Sequence, residues 1–440
     1  MENFRRRPDR LELDTGVPVL VLKIGRYVIH HGTLGIFRSL GRLGVPVYAI
    51  VPSRLTPVAT SRYLTRAFVW DTTGADRNEL LRGIASIGHR IGRRAILMPA
   101  DDASAAFVAE SAGELAKWFL FPRVAPDLPR RMANKRDLYH LCQRLGIPCP
   151  HTEFPSSFEE AREFAARAAF PVVVKAADSR RLPKGARSTA IARSARELLN
   201  LYQQAEIPEN PNLLFQEYIP HSCSEDWIFH GYFNALSDRG ISFTGRKLRS
   251  YPPFAGITTL GVAAANETVQ RQAEKLLRSV EYSGIMDIDY RLDGRDGQYK
   301  LLDFNPRIGA NFRMFEQESG LDVVRAQHLD LTGRPLPDSP MVEGRKLVVE
   351  PYDAAASLYH LRRSGLGLRA WWGSLRGKPE TACFDWRDPL PCATMLAGLI
   401  LRAIRSAAPA REGKARESRV PEAIPVSTAA AKMAKVRAPE

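Results

Sequence analysis

Residues 284–307 read GIMDIDYRLDGRDGQYKLLDFNPR, and their period-two alternation predicts two strands joined by a glycine-rich turn. If these strands pair as a hairpin, Asp289 on the first faces Asp303 and Asn305 on the second. Three oxygen ligands, with no His or Cys among them, suit a hard cation such as Mg²⁺ that also keeps water and phosphate ligands. Arg307, just past a proline, adds a cation for a phosphate or a carboxylate.

The same alternation predicts how the second strand packs. Leu302 and Phe304 are expected on one face, with Leu301, Asp303 and Asn305 on the other. The alternative interpretation of the segment is a polar hairpin whose acidic side chains are only solvated.

Composition indicates a globular protein of two or three domains, since the chain has 440 residues of which 45% are hydrophobic. The formal net charge of +15 suggests an anionic partner. Residues 402–440 hold nine basic and four acidic residues, so much of the excess lies in a segment of the kind that is usually solvated. No nucleic acid is expected as a partner, because the basic residues lack interleaved aromatic residues.

Cysteine usage and hydropathy favour the cytoplasm. The five cysteines are odd in number and lack CxxC spacing, so neither a disulfide framework nor a zinc knuckle is indicated. No apolar stretch precedes Val17, so no secretory signal is expected. No apolar run reaches 18 residues, which argues against a spanning helix.

The region from Val17 to Phe121 alternates apolar strands with helical segments, which predicts a parallel sheet with helices on both faces. Asp101 and Asp102 follow the strand RAILMP, at the carboxyl edge where such sheets place ligands. Capping of the next helix is the favoured role of Asp102.

The next region of the chain contains several basic residues that are candidates for phosphate binding. Lys135 begins a predicted helix, and the buried strand FPVVVKAAD delivers Lys175. The loop SRRLPKGARSTA, with Lys184 and Gly185, has the composition of loops that give phosphates backbone donors and point charges. Solvated lysines and an exposed basic turn are the plain alternatives.

Two further strands carry candidate residues. The segment LLFQEYIPHSCSEDW is an apolar strand broken at Pro220 and followed by an acidic turn that contains Glu225. In the segment ISFTGRKLRSY, alternation points Arg246 and Lys247 in opposite directions, so both cannot face one phosphate from a regular strand.

Taken in order, these elements resemble the ATP-grasp superfamily from Leu128 to about Arg334, and the preceding α/β unit resembles a pre-ATP-grasp domain. Carbamoyl phosphate synthetase, biotin carboxylase and D-alanine-D-alanine ligase have this arrangement. The resemblance implies a doubly wound parallel α/β sheet, then a two-lobed α+β ATP-grasp domain and a small C-terminal extension. The sequence departs from the family motif at Asp303, where a Glu is usual.

The resemblance also implies ATP and Mg²⁺ as cofactors, with Mn²⁺ as an alternative metal. The implied ATP-binding residues are Lys135, Lys175, Lys184, Gly185, Gln216, Glu217 and Ile219, with Glu225 on the ribose. The implied metal ligands are Asp289, Asp303 and Asn305, and the implied catalytic residues are Arg307 and one of Arg246 or Lys247.

The implied activity is that of a carboxylate-amine ligase, which activates a carboxylate as an acylphosphate and joins it to an amine. The expected partners are a small-molecule carboxylate and a small-molecule amine, and a homo-oligomer is an open alternative. Phosphotransfer to a hydroxyl, biotin-type carboxylation and a non-catalytic ATP-binding module are the alternatives that the sequence leaves open.

The C-terminal extension contains an apolar helical stripe at residues 393–405. Docking of this helix on the protein's own core is the favoured interpretation, and contact with the inner membrane surface is the alternative. The predicted boundaries are a basic leader at 1–16, a pre-ATP-grasp domain at 17–127, lobes at 128–215 and 216–335, an extension at 336–406 and a disordered tail at 407–440.

Overall fold

The computed structural model describes residues 11–25, 31–178, 181–182, 189–207, 209–234, 240–252, 256–363, 367–377 and 379–407. These residues form three β-sheets flanked by helices. One compact unit ends at Met395 and a second begins at Leu396.

The N-terminal sheet has five parallel strands in the order β3-β2-β1-β4-β5. The strands are β1 (Val19–Leu22), β2 (Val47–Val51), β3 (Arg66–Val69), β4 (Ala95–Pro99) and β5 (Phe119–Leu120). The helices are α1 (His31–Gly41), α2 (Arg77–Ile91), α3 (Asp102–Glu110) and α4 (Ala112–Leu115).

Strand β1 shows why this sheet is covered on both faces. Val19 and Val21 join a core cluster with residues of α1, while Leu20 and Leu22 join a second cluster with residues of α2. A strand buried on both faces is typical of a doubly wound parallel sheet, so this part of the predicted fold is confirmed. Its order places the topological switch between β1 and β4, where ligands bind in such sheets.

The second sheet is small and antiparallel, with the order β6-β9-β7-β8. Its strands are β6 (Thr152–Glu153), β7 (Val172–Ala176), β8 (Thr189–Ala192) and β9 (Leu213–Glu217), and the helices nearby in sequence are α5 (Leu128–Ala133), α6 (Lys135–Leu145), α7 (Phe158–Arg167) and α8 (Ala195–Ala205). Val172 and Val174 of β7 are buried under the helices α7 and α8, so Lys175 points to the other face.

The third sheet has seven strands in the order β14-β13-β10-β11-β12-β15-β16. They are β10 (Ser224–Phe233), β11 (Gly240–Tyr251), β12 (Ile257–Ala263), β13 (Gly284–Asp293), β14 (Gln298–Asn305), β15 (Lys346–Val348) and β16 (Glu380–Thr381). The remaining helices are α9 (Glu267–Ser279), α10 (Val323–Leu331), α11 (Glu350–Arg363), α12 (Leu368–Ser374) and α13 (Leu390–Ala407).

The two faces of the large sheet differ. One face packs Phe229 and Tyr290 against Leu276 of α9 and Leu138 of α6. The opposite face carries Ile228 into a core cluster shared with β1 and β2 of the N-terminal sheet. The remainder of that second face is lined by charged side chains and forms the candidate site described below.

The predicted hairpin is confirmed, but its packing contains a bulge. Asp289 pairs with Asp303, whereas Tyr290 pairs with Leu301, so Leu302 is an extra residue in β14. Leu301 is therefore 2% exposed in the core, and Leu302 turns toward a cavity. The predicted alternation of these two leucines is wrong because a bulge shifts every residue beyond it to the other face.

The C-terminal extension is tied to α1 through Arg38. Its guanidinium donates hydrogen bonds to the Cys383 carbonyl at 2.8 Å and to Asp388 Oδ2 at 3.1 Å. Within α13, Cys392 and Met395 pack against the core.

Beyond Met395 the docking of α13 stays a prediction. Leu396, Leu399, Ile400 and Leu401 are 41–59% exposed. No helix in the described part of the chain has both the length and the apolarity to cross a membrane.

Candidate active site

A cavity of about 490 Å³ lies between the four-stranded sheet and the charged face of the seven-stranded sheet. The start of α6, the strands β7 and β9 and the hairpin β13–β14 all contribute to its wall. Nine of the predicted site residues line it, namely Lys135, Lys175, Gln216, Glu217, Ile219, Lys247, Asp289, Asp303 and Asn305.

Lys135 is placed by the start of α6. The Asn134 side chain accepts hydrogen bonds from the backbone N–H groups of Arg136 and Asp137, which fixes Lys135 as the first helical residue. Its Nζ lies 3.2 Å and 3.1 Å from the two carboxylate oxygens of Asp303. Because the Asp303 charge outweighs the cost of burial, the pKa of Lys135 is raised.

Lys247 makes a matching pair with the second acidic residue. Its Nζ lies 2.7 Å from Asp289 Oδ1. Burial opposes the ammonium charge, but Asp289 and Asp226 outweigh that effect and raise the pKa of Lys247. Two lysines therefore hold the two aspartates that face each other on the hairpin.

Lys175 is bound by an amide, since its Nζ donates a 2.8 Å hydrogen bond to Gln216 Oε1. Desolvation lowers the pKa of Lys175 to about 8, and the charges of Lys135 and Arg291 act in the same direction while Asp303 opposes them. An incoming anion would favour the charged form of Lys175.

Asp287 adjoins the predicted metal ligand Asn305, although the sequence pattern did not indicate a role for it. It pairs with Asn305 across the hairpin, and Asn305 Nδ2 donates to its backbone carbonyl at 3.3 Å. Burial and the nearby Asp289 raise the pKa of Asp287 to about 7. Gly309 makes room for it, since a Cβ at that position would lie 2.6 Å from Asp287 Cγ. The spacing of two residues from Asp289 was the available signal.

Arg307 lies beside the cavity, between the hairpin and the N-terminal sheet. Its Nη2 donates to Asn305 Oδ1 at 3.0 Å, and its Nε lies 3.3 Å from Asp102 Oδ1. One guanidinium thus orders the amide of a predicted metal ligand and contacts the carboxylate of Asp102 at the start of α3.

The favoured capping role of Asp102 is wrong, because Asp101 is the cap of α3. Asp101 Oδ1 accepts from the Ser104 N–H at 2.8 Å and Ser104 Oγ accepts from the Asp101 N–H at 3.2 Å, which completes a capping box. Asp102 is the first residue of the helix and lines the cavity. Burial raises the pKa of Asp102 despite the nearby Arg307.

Apolar side chains line another part of the cavity. Val173 of β7, Ile191 of β8 and Leu302 of β14 contribute to it, and Ile219 is 3% exposed. Leu302 was missed because a bulge cannot be read from alternation. An apolar slot beside the backbone of a strand end suits a planar base.

Glu217 lines the cavity with its carboxylate already engaged. Oε1 accepts from Lys300 Nζ at 2.9 Å, and Oε2 accepts from Arg295 Nη2 at 2.9 Å. Burial raises the pKa of Glu217, but these partners outweigh it and the net shift is downward. The carboxylate therefore stays ionised and holds the strand end in place.

Two predicted residues lie elsewhere and two lie outside the described residues. Arg246 pairs in register with Trp227, on the face of β11 opposite to Lys247, and its Nη2 donates to Glu225 at 2.8 Å. Arg246 and Glu225 therefore neutralise each other away from the cavity. Lys184 and Gly185 fall outside the described residues.

The donor set at the hairpin fits Mg²⁺, since Asp289, Asp303 and Asn305 offer only oxygen atoms of the kind this ion binds. In the described part of the chain, no three His, Cys, Asp or Glu side chains stand together in an arrangement that could hold a metal ion. Phosphate oxygens and water would complete the coordination, as Mg²⁺ commonly requires.

Residues 258–338 match the family described as "Carbamoyl-phosphate synthase L chain, ATP binding domain". Over 247 residues the chain is 25% identical to D-aspartate ligase of Enterococcus faecium (strain Aus0004), which covers 53% of this chain and 58% of that protein. The carbamoyl phosphate synthase large chain of Thermus thermophilus is 24% identical over 217 residues, or 46% of this chain and 20% of that protein. The chain therefore spans only part of the length of these relatives.

One solved structure, N5-carboxyaminoimidazole synthetase from Staphylococcus aureus, is similar with a TM-score of 0.57 and 13% identity, over 77% of this chain and 82% of that one. The biotin carboxylase domain of 2-oxoglutarate carboxylase from Hydrogenobacter thermophilus, solved with MgADP, is similar with a TM-score of 0.56 and 17% identity, over 75% and 73%. The predicted ATP-grasp fold and the resemblance to ATP-grasp ligases are confirmed.

Proposed function

We propose that this protein is an ATP- and Mg²⁺-dependent ligase that activates a carboxylate as an acylphosphate and joins it to an amine. The observation that carries the proposal is one cavity that combines an apolar slot, three lysines and the hairpin ligands Asp289, Asp303 and Asn305. The apolar slot suits a nucleotide base, the lysines suit a polyphosphate and the hairpin oxygens suit a divalent cation.

The proposed nucleotide position follows from the lining. The base lies against Leu302 and Ile191, and its edge meets the strand end from Gln216 to Ile219. The phosphates extend toward Lys175 and Lys247. Lys184 and Gly185 remain predicted phosphate contacts, because they lie outside the described residues.

Asp289, Asp303 and Asn305 are the residues that would hold Mg²⁺, or Mn²⁺ as the alternative. When bound there, the metal offsets negative charge on the β- and γ-phosphates as the γ-phosphoryl group leaves. The resemblance to a structure solved with MgADP supports Mg²⁺ in particular.

The reaction needs two steps. A substrate carboxylate oxygen attacks the γ-phosphorus of ATP, which forms an acylphosphate and releases ADP. The amine nitrogen then attacks the acyl carbon and loses a proton, the C–O bond to phosphate breaks and inorganic phosphate leaves. Lys175 and Lys247 stabilise charge on the transferred group, and Arg307 orients Asn305 and the carboxyl end of the substrate.

Asp102 is the residue we assign to the amine. Its side chain lines the cavity and comes from the first residue of α3 rather than from the hairpin proposed to hold the metal. The side chain is 44% exposed as a whole, while its Oδ1 atom is buried. A carboxylate repels phosphate, but it attracts the ammonium form of an amine substrate. Contact with Arg307 fixes its position at 3.3 Å.

The test is ADP release by the full chain with Mg²⁺, ATP and pairs of amino acids and simple amines. D-Aspartate belongs in the first panel because a similar protein is a D-aspartate ligase. We expect one carboxylate-amine pair to raise ADP release at least tenfold, and either compound alone to give little. ADP release that ignores every added carboxylate would favour a non-catalytic module or another phosphoryl acceptor.

We also propose a cytoplasmic location with contact to an anionic membrane surface through residues 393–405. The observation is the exposure of Leu396, Leu399 and Ile400 on α13, followed in sequence by the basic residues of 402–440. Apolar side chains beside basic residues are typical of interfacial helices.

A further inference from the structure

Two of the five cysteines line one small cavity although six residues lie between them in the sequence. Cys142 lies on α6 and is 0% exposed, and Cys149 lies in the segment between α6 and β6 with partial exposure. Both side chains line the same small cavity, and each thiol affects the ionisation of the other. Gly146, with φ of +61°, ends the helix and reverses the chain so that the two sulfurs meet.

The surroundings give the two sulfurs different chemistry. Cys149 Sγ accepts a hydrogen bond from Gln143 Nε2 at 3.4 Å. The neighbouring Cys142, Gln143 and Lys300 together lower the pKa of Cys149 although burial opposes them. The neighbouring Cys149 and burial raise the pKa of Cys142. Cys149 is thus the accessible nucleophile, and Cys142 is the enclosed thiol beside it.

The pair adjoins the wall of the candidate active site. A small cavity lined by both cysteines is also lined by Lys135, Pro150 and Gln216, which line the large cavity too. The chain after Cys149 is fixed to the same wall, because the His151 N–H donates to Glu217 Oε1 at 3.0 Å. A displacement of Cys149 therefore acts on the residues proposed to meet the nucleotide.

We propose that Cys142 and Cys149 are a redox modification site at which a hydroperoxide forms an intramolecular disulfide that weakens nucleotide binding. The Cys149 thiolate attacks the terminal oxygen of the hydroperoxide, an S–O bond forms and the O–O bond breaks. Cys149 becomes a sulfenic acid, and the rest of the peroxide takes up a proton and leaves as an alcohol or water. Cys142 sulfur then attacks the Cys149 sulfur, the S–O bond breaks and water leaves. Two thiols are oxidised, and one peroxide is reduced by two electrons.

The bond draws Cys149 and Pro150 toward α6, because two covalently bonded sulfurs are closer than two that are not bonded. Pro150 and Thr152 then move relative to Gln216, whose Nε2 donates to Thr152 Oγ1 at 3.1 Å. Gln216 in turn accepts the hydrogen bond from Lys175. Oxidation thereby disturbs a phosphate-binding lysine without touching it.

The first measurement is peptide mass after the full chain is treated with a small excess of hydrogen peroxide, alkylated and digested with trypsin. Arg144 lies between the two cysteines, so trypsin separates them unless a disulfide joins the fragments. We expect a linked pair of peptides in the wild type, loss of it in Cys149→Ser, and its retention in the matched control Cys223→Ser. The proposed site would be overturned by recovery of both Cys142 and Cys149 in alkylated form. Recovery of Cys149 as sulfinic acid would overturn it as well.

The second measurement is the dissociation constant for Mg·ATP before and after peroxide. This readout rests on the proposed nucleotide site, whereas the linked peptides do not. Oxidation should raise the constant at least threefold in the wild type and leave it unchanged in Cys149→Ser. An unchanged constant in a fully disulfide-bonded protein would overturn the effect on binding. The reduced protein could also give linked peptides after oxidation and yet fail to bind Mg·ATP before it. That result would contradict the proposed function and the effect on binding, but it would leave the disulfide in place.

Discussion

The ammonium group of Lys135 lies 3.1 Å from Oδ2 of Asp303, within one cavity wall. Lys247 holds Asp289 in the same way at 2.7 Å. Each of these two carboxylates proposed to bind metal is therefore neutralised by a lysine that also lines the cavity. Mg·ATP offers both groups better partners, since the phosphates attract the lysines and the metal attracts the carboxylates. We therefore propose that the site exchanges ion pairs on binding, so that these four side chains keep charged partners throughout.

Replacement of Asp303 or Asn305 by alanine should abolish turnover with the fold intact, because each change removes an oxygen ligand from a preformed hairpin. Asp289→Asn should be milder, since an amide oxygen still coordinates. ADP release with the stimulating substrate pair measures both effects, and circular dichroism reports the fold. Glu267→Gln is the matched control, because the Glu267 side chain is 86% exposed on α9. Full activity in Asp303→Ala would refute the metal assignment.

Lys175→Ala should weaken ATP binding by about 1.5–3 kcal/mol, the range for hydrogen bonds to charged groups. Calorimetric titration with Mg·ATP gives the value directly. The control is Lys117→Ala, a lysine whose Nζ lies over the Trp118 ring in the N-terminal unit. Unchanged affinity in Lys175→Ala would indicate a lysine with no role in binding.

ATP affinity should fall as pH rises through about 8, the pKa of Lys175 in the free protein. Bound phosphate raises that pKa, so binding takes up a proton above pH 8 and is weakened there, while below pH 8 the lysine is already charged. Lys175→Arg should remove this dependence, because arginine stays protonated. An identical pH profile for the wild type and the arginine variant would assign the proton to another group.

Lys247→Ala should impair turnover far more than Arg246→Ala, although the two residues are neighbours in sequence. Lys247 lines the cavity, whereas Arg246 is paired with Glu225 on the opposite face of β11. An exposed pair of this kind contributes little stability, so Arg246→Ala should fold and work. Steady-state rates of the two variants decide the matter, and equal losses would contradict the assigned faces.

The full chain should float with anionic liposomes at low salt, and a chain truncated after Pro389 should remain in solution. The truncation removes α13 and the basic tail, whose charges contribute about 1 kcal/mol each near such a surface. Neutral liposomes are the matched control. If the full chain stays in solution with both liposome types, the membrane proposal is wrong.

The fold and much of the site could be predicted from sequence where the signal is local. Alternation and a tight turn are local properties, and they brought Asp289 opposite Asp303 as predicted. The alternation that points Arg246 and Lys247 apart is equally local and also holds. The domain boundaries stay predictions.

The rest depends on long-range geometry. The bulge that turns Leu302 into the cavity inserts one residue, and nothing in the pattern of β14 marks it. Arg307 contacts Asp102 only because the N-terminal sheet and the seven-stranded sheet pack together. The role of Asp102 could therefore not be predicted from its position at the start of a helix. The contact of Cys142 with Cys149 likewise depends on how Gly146 reverses the chain.

Transfer of oxygen-18 tests the proposed chemistry most directly. The stimulating carboxylate substrate is labelled in its carboxyl oxygens, and the inorganic phosphate formed with ATP and the amine is analysed by mass spectrometry. An acylphosphate intermediate predicts one labelled oxygen in each phosphate released. Phosphate without label, formed together with the amide product, would contradict carboxylate activation by phosphoryl transfer.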